Sequence, residues 1–313
     1  VRDALRSGAV FATLLGPLPR PPLQPDADSG ELVRVVVAAQ VEAGLEPVTD
    51  GREPAPGRSV ADWRATAAVA SPTAAKQGLV GPWTAARASG DAAALAEALG
   101  ADVAALAAAG CPMVELHEPA VVGRPFDDTG RRALVDAWRR LLDVAGDAVH
   151  VSLVLTGGDV TGLGPAIYDA PFASYGFDLR AGPDNWRVIA DAPRDRGIVV
   201  GALSTAERSD DGPELLVWAA HYAASIGGRG LDRVGLATAG SLAHLEWDVA
   251  ERKLRRLGEA ARIAARGSFA KVAPHLDPRA VGMKSGALGR YVQPRKRNVG
   301  PRKRNAPPGK PRS

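Results

Sequence analysis

Eight short apolar segments recur along this chain: Val10–Leu15, Pro47–Thr49, Gly78–Val80, Met113–Leu116, Val149–Leu155, Phe172–Phe177, Ile198–Leu203 and Val234–Ala237. Their starts lie roughly 25 to 35 residues apart, and most are followed by a helical pattern, which is the length of one strand-and-helix unit. This rhythm constrains the fold more than any other feature. Eight parallel strands with crossover helices, in about 265 residues, close into a (β/α)8 barrel. The expected architecture is therefore α/β, a single TIM barrel over residues 1–281, followed by a disordered basic C-terminal tail over 282–313.

The intervening segments carry helix signals. Gly30–Ala43 places Leu32, Val35, Val36 and Ala39 at helical spacing and stops at Gly44. Asp91 is placed to cap the run from Ala92 to Ala109, and Asp128 or Thr129 the run through Leu142. Pro213 suits the first turn of Glu214–Ile226, and a long helix is expected over Leu245–Arg262. The connection Asp159–Pro171 has the weakest pattern, because Gly162, Gly164, Pro165 and Pro171 leave room for barely a turn or two.

Hydrophobic residues make up 46% of the chain but aromatics only 5%, so the core should be built from Val, Leu, Ala and Ile. The single Cys111 excludes an internal disulfide and any zinc site with two cysteines from this chain, and reads as a small buried hydrophobe. No apolar run approaches the roughly 18 residues of a membrane span. Arg2, Asp3 and Arg6 ahead of a short apolar stretch make a poor signal peptide, so a cytoplasmic protein with no membrane partner is expected. The net charge of +4 comes from the tail: residues 284–313 hold ten Lys or Arg and no acid, which leaves 29 basic against 35 acidic residues, or −6, elsewhere. The tail, with PRKRN twice, is expected to be solvated; its sharper reading is a nonspecific contact with nucleic acid or another anionic partner.

Chemistry in a parallel barrel stands at the carboxyl ends of the strands. Here those ends read LLGPLPRP, then VTDGRE, then KQGLVGPWTAA, then AAAGCPMVELHEPAV, with RVGLATAGSLAHLEWDVAERKLRRLGEAARIA later. In order and interval they resemble the catalytic barrel of cobalamin-independent methionine synthase, within the wider group that includes uroporphyrinogen decarboxylase. That family shows a glycine-serine-aromatic-proline turn, a glycine-glutamate pair, a TGP turn, an AAGxxxIQIDEPAL segment and a final KLxxLxEAA helix. The resemblance spans about residues 10 to 265 and implies a methyltransferase of methionine biosynthesis that moves a methyl group from a one-carbon donor such as a folate to a thiol such as homocysteine, without cobalamin.

It also implies a zinc ion that lowers the thiol's pKa, held by a histidine, two cysteines and a glutamate. The matching positions here hold His150 with Ser152, or Ser152 with Val154, depending on register; Asp178 stands near the glutamate and Gly240 near the second cysteine. The thiolates are absent, so the metal candidates are His150 and Asp178. Pro17 replaces the family's serine, Arg52 its glutamate with Glu53 adjacent, and His117 its aspartate, while Glu118 and Pro119 are kept. The catalytic candidates are thus Glu118, His117 and Asp178, and the substrate contacts Asp50, Glu53, Trp83 and Ser152.

Read from the residues alone, His117, Glu118, His150 and Asp178 are expected to share one barrel mouth, as a hard metal site or as a general acid/base set. Trp83 would either stack on a flat ring such as a pterin or pack on a neighbouring loop. The competing function is a divergent barrel without thiol activation, either an acid/base lyase or decarboxylase or a ligand-binding protein. A third is an interaction protein acting through its tail.

Overall fold

The computed structural model describes residues 10–55, 60–209 and 212–272; the expected tail lies outside the described residues. The chain runs β1 (Phe11–Thr13), α1 (Ser29–Ala43), α2 (Val60–Ala70), β2 (Gln77–Val80), α3 (Pro82–Ser89), α4 (Ala92–Ala108) and β3 (Met113–His117). It continues through α5 (Asp128–Ala145), β4 (His150–Leu155), β5 (Ser174–Asp178), α6 (Asn185–Ala190), β6 (Gly197–Leu203), α7 (Pro213–Ser225), β7 (Val234–Thr238) and α8 (Trp247–Ala264). The sheet order is β1-β7-β6-β5-β4-β3-β2 and every pairing is parallel, as in a TIM barrel.

The expected strand at Pro47–Thr49 is reduced to a single bridge, Val48 to Ala75. Pro47 has no N–H to give to a ladder, so the segment stitches β1 to β2 through three bonds: Glu46 N–H to Ala12 O (2.8 Å), Val48 N–H to Ala74 O (2.9 Å) and Lys76 N–H to Val48 O (2.9 Å). Asp159–Pro171 holds only the 3-10 turns Thr161–Tyr168. Alternation, not the crossover, carries the following strand β5, every residue of which is buried.

Local signals explain the helices. Asp28 accepts from Glu31 N–H (2.7 Å), and Gly44, at φ 82°, ends α1 in the left-handed conformation that glycine adopts without strain. Asp91 accepts from the Ala93 and Ala94 N–H groups, each at 3.0 Å. The cap of α5 is Asp127, which accepts from Gly130 N–H at 2.7 Å, one residue before the expected Asp128. In the run Asp127-Asp128-Thr129 three good caps compete, and only the first leaves Asp128 free for the first turn, where it pairs with Arg131 at 2.9 Å.

Strand alternation divides the side chains. Leu79, Val114, Leu116, Val151, Leu153, Leu155, Tyr175, Phe177, Ile198 and Val200 face outward and join the helices in one buried core. Each such side chain contributes about 1.5–3 kcal/mol when fully removed from water. Leu15, Val154, Val199 and Ala237 face inward as a second apolar cluster, with Phe11 against it. The Phe11 ring occupies the space a side chain at Gly235 would need, so its partner on the neighbouring strand β7 is glycine.

Candidate active site

The rest of the barrel interior is polar. On β3, Glu115 and His117 share the inward face, and on β2 Lys76 leads into the inward Gly78. Lys76 Nζ lies 2.5 Å from Glu115 Oε1 and donates to the Leu14 carbonyl at 2.8 Å. Glu115 Oε2 stands 3.4 Å from His117 Nε2. Lys76 and Glu115 are essentially inaccessible, whereas the His117 side chain keeps 10% of its surface. Burial pulls Lys76 below the ordinary lysine value, against the opposing pull of Glu115. Burial pushes Glu115 up, but Lys76 and His117 together outweigh it and hold the carboxyl below its usual range.

This line of charges ends in a small cleft at the carboxyl ends of the first strands. Leu14, Gly16, Thr49, Asp50, Gly78 and His117 are among its walls, and it encloses about 20 Å³. Asp50 and Arg52 close one side, paired at 2.9 Å. Beyond that pair lies a wider groove of about 280 Å³ with apolar walls from Leu18, Leu32, Val33 and Val36, and Glu53 at its edge. Asp50 and Glu53 thus stand at the mouth as expected from their place after the second strand segment.

The other candidates do not meet there. Glu118 is fully buried and points away from the mouth into the helical layer. It accepts from Trp83 N–H (3.0 Å), Thr84 N–H (2.7 Å), Thr84 Oγ1 (2.5 Å) and Trp138 Nε1 (3.0 Å), so both carboxyl oxygens are used in capping α3 and anchoring α5. Burial pushes its pKa up, and these four donors oppose the rise. A side chain at Gly81 would overlap the Glu118 carboxyl, which is why the turn before Pro82 is glycine. Trp83 packs on Phe126 with centroids 5.9 Å apart, the neighbouring-loop alternative.

His150 opens β4, so it belongs to the opposite, amino-terminal rim. The shared mouth expected for it fails because a parallel strand separates its first and last residues by its full length, about 3.3 Å per residue. Its Nε2 lies 2.8 Å from Ser174 Oγ, which in turn bonds Ser152 Oγ at 2.9 Å. Burial lowers its pKa to about 4, with Glu115 pulling the other way. Ser152 is wholly enclosed in mid-barrel. Asp178 does end β5 at the carboxyl rim, but its oxygens accept from the Gly157 (3.1 Å), Arg180 (2.7 Å) and Ala181 (2.9 Å) N–H groups. Burial raises its pKa against those bonds. Cys111 sits at the base, buried, its thiol pushed up to about 12 by burial.

These placements test the implied zinc. The alternative ligand position Val154 is part of the inner apolar cluster, His150 is at the wrong rim, and Asp178 is occupied by backbone donors. Among the described residues no group of three or more His, Cys, Asp or Glu is arranged to hold a metal ion. The described residues at the implied positions do not fit a zinc centre. Lys76 and Glu115, by contrast, are not among the candidates that the strand-end motifs mark. The usable signal was period two: Glu115 shares a face with His117, and Lys76 with Gly78.

No protein-family model and no curated protein matches the sequence. Solved structures do resemble the fold. A B12-independent methionine synthase from a Shewanella species, in complex with selenomethionine, superposes with a TM-score of 0.66 at 16% identity, over 86% of this chain and all of that one. A protein from Listeria monocytogenes assigned as a vitamin-B12-independent methionine synthase gives 0.63 at 16% identity, over 81% of this chain and 98% of its own. A methyltransferase from Methanosarcina mazei gives 0.60 at 13% identity, over 83% and 96%. At such identities the likeness establishes the TIM-barrel fold shared with these proteins. No helix among the described residues is long and apolar enough to cross a membrane.

Proposed function

We propose that the protein is an enzyme of the methionine synthase-like barrel group that performs metal-independent acid–base chemistry on a small polar molecule at the carboxyl-end mouth. The observation that carries this reading is the continuous line from Lys76 through Glu115 to His117, which ends in the cleft. His117 is the group that moves the proton, because its side chain keeps 10% of its surface at the cleft against 2% for Glu115 and none for Lys76. Glu115 orients the ring, and Lys76 fixes Glu115. Asp50 and Arg52 border the substrate.

A second reading, one-carbon transfer to a thiol, is favoured by the ordered strand-end motifs and by the fold likeness to a synthase that binds selenomethionine. In that case His117 takes the thiol's proton, which needs no thiolate-zinc centre. The thiol and a folate donor would be its partners.

The first reading is tested by proton exchange in D2O. Wild-type protein and His117→Gln are incubated with small carbonyl compounds, amino acids and homocysteine, and loss of C–H signal is followed by proton NMR. Exchange on at least one compound, insensitive to chelator and lost at least a hundredfold in His117→Gln, is expected. Exchange abolished by chelator, retained in the variant, or absent for every compound would overturn it. Methionine formed from homocysteine and a methylfolate would establish the second.

A further inference from the structure

Lys76 lies one layer beneath the cleft floor. Both partners of its Nζ, Leu14 and Glu115, line the cleft, as do Gln77 and Gly78 of the same strand. Strands run from base to mouth, so Gly78 stands directly above Lys76 on the inward face of β2. A side-chain carbon there would come 3.4 Å from Pro54 Cγ and 3.6 Å from His117 Nε2; glycine leaves that space open. Lys76 is thus an amine beneath the cleft floor, touching a carboxylate that is itself beside an imidazole.

Imine chemistry needs such a set: an amine desolvated enough to lose its proton, a carboxylate in contact to take it, and an acid to expel water. We propose that Lys76 is a nucleophile that captures a small aldehyde at the barrel mouth as an imine. The ammonium gives one proton to Glu115, the nitrogen attacks the carbonyl carbon, a C–N bond forms as the C=O π electrons move to oxygen, and the alkoxide takes a proton from the new cationic nitrogen to give the carbinolamine. The carbinolamine then loses its hydroxyl as water, with the proton returned through Glu115 or His117, and the C=N bond forms; no oxidant or reductant is consumed. The cleft is small, about 20 Å³ or room for about one water-sized group, so a small aldehyde is the class proposed. This rests on reading the mouth as an acid–base site, but it does not require His117 to be indispensable.

The test uses the full chain and glycolaldehyde at pH 7, with a borohydride pulse and peptide mapping of all seven lysines. Exposed lysines are almost wholly protonated at that pH. Labelling of Lys76 at least tenfold faster than of any other lysine is expected, and so is at least a tenfold loss in Glu115→Gln checked for its fold by circular dichroism. Lys76 unlabelled, or labelled no faster than Lys271, overturns the proposal on the wild-type protein alone. Equal labelling in a folded Glu115→Gln overturns the role given to the carboxylate. His117→Gln separates this proposal from the function above: fast Lys76 labelling with exchange unaffected breaks the role of His117 and leaves Lys76 standing, whereas His117-dependent exchange with a silent Lys76 does the reverse.

Discussion

The two halves of the barrel interior are built on opposite terms. On β1, β6 and β7 and the upper end of β4 it is filled by Phe11, Leu15, Val154, Val199 and Ala237. On β2, β3, the lower end of β4 and the start of β5 it holds Lys76, Glu115, His117, Ser152 and Ser174, joined by hydrogen bonds and ion pairs. The apolar half stabilises the fold simply by leaving water. The polar half gains far less, because two buried charges spend most of their mutual attraction on desolvation, and a hydrophobic pair of similar volume would commonly do as well or better. Lys76 and Glu115 thus give the fold little net stability, which is why the proposed chemistry is placed on this half.

Breaking one partner in each half exposes the difference. Lys76→Met leaves Glu115 buried without its cation and should destabilise the protein by about 3–5 kcal/mol. Leu15→Ala should cost a comparable 2–5 kcal/mol through a cavity. Only the first loss is recoverable by a second removal. Lys76→Met with Glu115→Leu should regain most of the stability in urea melts, while adding a second apolar truncation, Val154→Ala, to Leu15→Ala should deepen the loss. A Lys76→Met, Glu115→Leu protein no more stable than Lys76→Met alone would show that the polar half supports the fold as much as the apolar half does.

The same contrast explains what could be read from the sequence. Seven of the eight strand segments are legible within a residue or two, because an apolar run between glycines and helix caps has few other places to go in a parallel barrel. Pro47 cost its segment the ladder but not its position between β1 and β2. The mouth was legible only in part. Asp50 and His117 were placed correctly by standing just after or at the end of a strand segment. Glu118 is one residue past β3 and looked the same in sequence, yet at that step the chain turns and carries its side chain outward under α3. His150 failed for the converse reason: a polar residue at the start of a strand resembles one at the end until the direction of β4 is fixed. Glu115 lies inside the apolar segment Met113–Leu116 and Lys76 just ahead of Gly78–Val80, where charge reads as noise unless alternation is followed residue by residue.

A milder perturbation distinguishes the base of the polar half from its mouth. His150 is held neutral by burial, with a folded pKa of about 4 against an ordinary 6.5. The unfolded chain therefore binds a proton that the folded chain refuses between those values, so stability falls as pH drops through that window and is fully present above it. Between pH 7 and pH 5 the His150 contribution should amount to about 2 kcal/mol. Urea melts of wild type and His150→Phe at both pH values isolate it. A loss the same size in both proteins would mean that His150 is not the source of the acid sensitivity.

The smallest structural change should have the most selective effect. Gly78→Ala adds one carbon at ordinary contact distance from Pro54 and His117, and the glycine's backbone is not in the left-handed region, so stability should move by no more than about 0.5 kcal/mol. That carbon nevertheless stands in the cleft wall between Pro54 and His117. If the polar half exists to present chemistry at the mouth, Gly78→Ala should keep its melting temperature and lose at least tenfold in both aldehyde labelling of Lys76 and His117-dependent exchange. The equivalent intrusion in the apolar half, Ala237→Val, should instead cost stability by overpacking, about 1–3 kcal/mol, and leave labelling and exchange unchanged in the protein that remains folded. Parallel losses of stability and reactivity in both variants would mean that the interior responds as one packed body, and that charge on β2 and β3 has no separate purpose.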